Sequence, residues 1–145
     1  MPVSADARKK EILNLTSDEL RAKAGELNGF RLLARTDKAS VDNLELGEGY
    51  LWVGDAPPDY QHDIGVAMTD LFESVYGRGG KIKGGAWVLS TVEGGRDVAS
   101  ACLMWKGQSG QKHRSLKVKV ILPRGEMARA ITLCWVCAML GVSDE

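Results

Sequence analysis

From Glu126 to Leu140 almost every side chain is apolar, with only Arg129 and Thr132 as polar interruptions after the first residue. At 3.6 residues per turn such a segment is apolar nearly all round, so it has to be covered on every side, in a core or in a subunit interface. Pro123-Arg124-Gly125 precedes it and supplies a helix start. The apolar run is far shorter than the ~20 residues needed to cross a bilayer. A chain of 145 residues has room for one core of this kind. The remaining segments must therefore supply what wraps the helix.

Upstream of it the hydrophobic period changes to two. Ala86 to Val92, Asp97 to Lys106 and Ser115 to Leu122 read as strands, with Glu93-Gly94-Gly95-Arg96 as a tight hairpin turn and Gly107 to Arg114 as a longer loop. Connections this short join antiparallel neighbours, which predicts a three-stranded meander. Phe30 to Thr36 and Gly49 to Gly54 are two further predicted strands. Together they predict an antiparallel sheet of about four to five strands.

The helices carry their own signals. Thr16 can cap a helix and Glu19 can reach back to its amide, while Leu15 and Leu20 stand where a hydrophobic staple requires them. This helix is expected to end near Leu27, with Asn28-Gly29 as its stop, after a shorter helix over Ala5 to Leu13. Pro57-Pro58-Asp59 is expected to cap a central amphipathic helix. Its apolar face would hold Ile64, Ala67, Met68, Leu71, Phe72 and Val75, with His62, Asp63, Asp70 and Glu73 opposite. The expected class is α+β: N-terminal helices, the central helix, the sheet with its C-terminal meander, and the buried C-terminal helix. Residues 1–145 form one domain in this reading, with an N-terminal helical arm at 1–29 and a sheet-and-helix core at 30–141.

Hydrophobic residues at 44% and charged residues at 26% exclude a disordered or fibrous chain. Three cysteines lack disulfide-framework spacing and the start Met-Pro-Val-Ser lacks an apolar signal stretch, so a reducing, cytoplasmic compartment is expected. The net charge of zero conceals a division. Residues 1–75 carry 8 Lys and Arg against 14 Asp and Glu, whereas residues 76–145 carry 11 against 5. That asymmetry points to an anionic partner for one face, or to head-to-tail association.

No catalytic signature accompanies it. Cys134 and Cys137 have Cys-x-x-Cys spacing, but they fall mid-helix among apolar residues that raise a thiol pKa, and the set of four ligands for structural zinc is not evident. His62 and His113 have no partner at a recognisable spacing, and the glycine-rich run Arg78 to Gly85 lacks P-loop order. No catalytic residue, metal site or cofactor is assigned.

The basic residues are more informative. Lys117 and Lys119 project from one face of the last strand, with Leu116, Val118 and Val120 on the other. Lys112 and Arg114 belong to the adjoining loop, Lys106 to the neighbouring strand, and Arg78, Lys81 and Lys83 to the glycine-rich segment. These eight cations form the expected site for nucleic-acid phosphates or another anionic surface. Trp52 and Trp105 are candidates for stacking on bases. Ile131, Trp135 and Met139 are the expected homo-oligomer contacts on the apolar helix. The resulting expectation is a non-enzymatic, oligomeric nucleic-acid-binding protein, RNA ahead of DNA, a description that fits a small viral protein. Two alternatives stand beside it: a matrix- or capsid-like assembly subunit joined by acidic and basic surfaces, and a small enzyme whose site has no sequence signature. Lysines on an edge strand also serve simply to block aggregation.

Overall fold

Thr16 and Glu19 close the predicted capping box: each backbone amide donates to the other's side-chain oxygen at 3.2 Å. The computed structural model that contains it describes residues 5–35, 50–72, 85–107 and 114–144. Helix α1 covers Ala5–Leu13 and α2 covers Ser17–Leu27, with Gly29 at φ 95° beyond the α2 end. Strands β1, Arg31–Arg35, and β2, Tyr50–Val53, pair antiparallel. They form a separate two-stranded sheet, where the sequence predicts a single sheet.

The segment after β2 departs from the predicted helix start. Pro57, Tyr60 and Gln61 are buried in a turn bound to α2. Arg21 donates to the Pro57 carbonyl from Nε at 2.9 Å and from its terminal nitrogen at 2.6 Å, and Asn28 Nδ2 donates to Tyr60 Oη at 2.8 Å. A Cβ at Gly25 would sit 2.5 Å from Pro57 Cγ, so only glycine permits α2 to approach this turn so closely. Helix α3 therefore begins at Ile64–Val66, capped by Asp63 Oδ1, which accepts the Val66 amide at 3.2 Å. It continues as a π-helical turn, Ala67–Leu71. The wider turn rotates side chains away from 3.6-residue spacing. Ala67 and Leu71 remain buried, while Ile64 and Met68, predicted on the same inner face, are 46% and 40% exposed. Val75 and Glu73 lie outside the described residues.

The meander is as predicted. β3, Ala86–Glu93, β4, Arg96–Gly107, and β5, Arg114–Pro123, run antiparallel in the order β3-β4-β5. Gly94 and Gly95 have φ of 56° and 78°, the two positive values that let a two-residue turn follow strand twist. Helix α4, Met127–Met139, lies on one face of this sheet and also contacts α1, α2 and the π-helical turn. Leu103, Trp105, Val118 and Val120 face it from the strands, and Ile131, Leu133, Trp135 and Val136 are fully buried. One domain core thus encloses the helix.

Lys9 and Asp144 close the outer edge of β5. Asp144 donates its amide to the Lys117 carbonyl at 2.7 Å, and its carboxylate accepts the Lys119 amide at 2.8 Å. Lys9 Nζ lies 2.6 Å from the same carboxylate and 2.8 Å from the Lys119 carbonyl. Among the described residues no helix is long and apolar enough to cross a membrane.

Candidate functional site

Strand alternation sends every second side chain of the meander away from α4. The register places these outward residues in rows across the strands. Ala86, Met104 and Lys117 form one row, Val88, Cys102 and Lys119 the next, and Ser90, Ser100 and Ile121 a third. Lys106, two residues along β4 from Met104, extends the same face. Val88 and Ile121 are each 51% exposed, Met104 is 37% exposed, and Lys106 and Lys117 are exposed. A sheet covered on one side usually turns polar residues to solvent. Here Lys117 and Lys119 stand on β5 with Ile121 beyond them, Lys106 and Met104 on β4, and Ala86 and Val88 on β3.

Electrostatics divide the three lysines. Glu93 forms an ion pair with Lys119, and the same carboxylate oxygen accepts the Ser100 hydroxyl at 3.3 Å. The Lys119 hydrogen bond holds the Glu93 carboxyl below its ordinary pKa, and Glu93 in turn raises that of Lys119. Burial pushes the Cys102 thiol up, against the opposing pull of the Lys117 and Lys119 charges. Lys106 and Lys117 have no ion pair among the described residues.

Of the eight predicted cations, the structure brings Lys106, Lys117 and Lys119 onto one face. Arg78, Lys81, Lys83 and Lys112 lie outside the described residues, and only the backbone of Arg114, opposite Gly107, is described. The aromatic candidates are elsewhere. Trp105 is 7% exposed and packs in the core, because its strand position faces α4; it offers no stacking surface. Trp52 belongs to the two-stranded sheet, with its ring beside Gly25 and Pro57. Ile131 and Trp135 are fully buried within the chain's own core and Met139 packs partly buried against it, so α4 meets this chain's strands and helices where the sequence reading expected a partner subunit.

Cys134 Sγ donates to the Ala101 carbonyl at 3.0 Å, deep under the sheet. Burial raises the pKa of both α4 cysteines, that of Cys137 to about 12. They are core residues, as their mid-helix position implies, and no group of His, Cys, Asp and Glu among the described residues is arranged to hold a metal.

One arrangement had no recognised spacing in the sequence. His62 Nδ1 lies 2.8 Å from Asp59 Oδ2, three residues earlier, because the Pro57 to Gln61 turn brings Asp59 to the ring nitrogen. His62 borders a cavity of about 630 Å³ that also exposes Thr91, Asp97 and Arg124. The spacing of three residues between Asp59 and His62 is the local sequence signal for this pair. Arg129, at the same cavity, is bound to Gln61 Oε1 at 2.7 Å and to the Leu15 carbonyl at 3.0 Å, and serves as a structural clamp. Comparison with protein-family models, curated proteins and solved structures finds no match for this chain.

Proposed function

We propose that this protein binds nucleic acid, without catalysing a reaction on it, through the outward face of β4 and β5. The observation that carries this reading is the placement of Lys106, Lys117 and Lys119 on one solvent-facing surface whose apolar neighbours are also exposed. Lys106 and Lys117 are diagonal neighbours across two strands, ~7 Å apart at the backbone, a spacing at which both ammonium groups can meet one phosphate chain. RNA is placed ahead of DNA because a sheet face contacts splayed bases and sugar edges more readily than it enters a B-form groove. Three unpaired thiols agree with a reducing, cytoplasmic location. The homo-oligomer contacts expected at Ile131, Trp135 and Met139 are not carried forward, because this chain's own strands and helices cover α4.

The test is fluorescence anisotropy with labelled RNA and DNA oligonucleotides over a range of salt concentrations. Binding is expected to weaken steadily with salt, and Lys106→Glu with Lys117→Glu is expected to reduce affinity at least ~10-fold. Salt-independent affinity, or affinity indifferent to both charge reversals, overturns the proposal.

A further inference from the structure

Lysines alone would suit any polyanion, but this face is half apolar. Toward β3 it exposes Val88 and Met104, with Ala86 beside them, and Ile121 closes the far end of the lysine column. Neighbouring strands lie ~4.8 Å apart, so the apolar columns run parallel to the β5 lysines at one to two strand spacings. Apolar side chains and the β5 lysines are therefore side by side, and Lys106 continues the Met104 column on β4.

We infer that the ligand of this face is an unpaired single strand, with its phosphates along Lys106, Lys117 and Lys119 and its bases laid over Met104 and Val88. This rests on the nucleic-acid reading above and selects among its ligands. A duplex keeps its bases stacked inside and presents charged backbone on its surface. Three strands with their side chains are broader than a ~12 Å major groove, which admits one helix or a two-stranded ribbon. The A-form major groove is deep and narrow and closes to side chains altogether. A duplex docked on the lysines would therefore press phosphate and sugar against Val88 and Met104, and those polar groups would lose water with no partner in exchange. A single strand removes the conflict, because each nucleotide can rotate its base onto Met104 or Val88 while its phosphate stays on the neighbouring lysines. Met104 suits this position, since a flexible, polarisable thioether makes favourable contact with aromatic rings in several geometries.

The experiment compares one roughly 15-nucleotide RNA alone and annealed to its complement, at equal low salt, against the wild type, Val88→Ala with Met104→Ala, and Lys117→Glu. The expected result is at least ~10-fold tighter binding of the single strand, reduced ~3- to 10-fold in the Val88 and Met104 variant, with weak duplex binding unchanged by that variant. Circular dichroism and urea midpoints check that these exposed-site variants remain folded. Equal affinity for both forms, each lost in Lys117→Glu, overturns the single-strand inference and leaves the nucleic-acid reading standing. A single-strand preference indifferent to Val88 and Met104 overturns the placement of the bases. Absence of salt-dependent binding to either form overturns the underlying proposal itself.

Discussion

The Glu93 carboxylate bridges to the Lys119 ammonium beside the Ser100 hydroxyl, joining the first and last strands of the meander. A carboxylate that occupies a lysine competes with any phosphate for it. Glu93→Gln is expected to tighten oligonucleotide binding roughly two- to fivefold, the scale of an exposed ion pair. It should also steepen the salt dependence, by ~0.7 in log–log slope for a single strand. The sign for pH follows from the lowered Glu93 pKa. The pair contributes above the ordinary carboxylate range and is lost as pH falls through the folded-state value, so acidification should strengthen wild-type binding and leave Glu93→Gln unchanged. Anisotropy titrations of both proteins across pH and salt check this.

Thiol chemistry should separate one cysteine from two. Cys102 is half-buried, whereas Cys134 and Cys137 are fully buried. In native protein, iodoacetamide should label Cys102 first and the α4 pair only at the rate of opening. Mass spectrometry of timed digests reads this directly.

Alkaline stability follows from the same burial. An unfolded thiol ionises near pH ~8.5, whereas Cys137 stays protonated to about 12 and Cys134 is also raised. The folded state then binds more protons, so stability falls as pH rises above the unfolded value, by about 1.4 kcal/mol per pH unit for each thiol. Urea unfolding between pH ~8.5 and ~9.5 should show a shallower fall in stability for Cys137→Ala than for the wild type, by up to one thiol's share.

Asp144 protects one backbone amide in particular. Its carboxylate accepts the Lys119 amide at 2.8 Å. Asp144→Ala is expected to raise hydrogen exchange at Lys119 well above that at Val118 and Val120, whose strand pairing is retained. Equal protection of Lys119 in the variant and wild type would show that the end clip does not seal the β5 edge.

Arg129 joins three parts of the chain at one guanidinium. Arg129→Met keeps its packing but strands Gln61 Oε1 and the Leu15 carbonyl, and should cost roughly 2–3 kcal/mol in urea unfolding. Arg129→Lys retains the charge on a single ammonium head in place of the planar fork, and is expected to recover only part of that loss.

By itself the sequence determined the elements whose signals are local. The Thr16–Glu19 box, the Gly94-Gly95 turn, the three meander strands and the buried α4 depend on residues within a few positions of one another, so propensity and period identify them. Lys117 and Lys119 were legible as one face for the same reason. Tertiary structure alone decided everything that depends on an opposite neighbour. Trp105 faces α4 by strand parity, which two largely apolar strand faces leave ambiguous in the sequence. Ile131 and Trp135 are covered by this chain because two strands, β4 and β5, and three helical segments converge on α4, and an all-round apolar helix reads alike in a core or an interface. Ile64 is exposed at the first helical position, and the π-helical turn that holds Met68 departs from the period that the pattern assumes. Glu93 meets Lys119 only through registers set across β4, a pairing between distant residues that no local periodicity encodes.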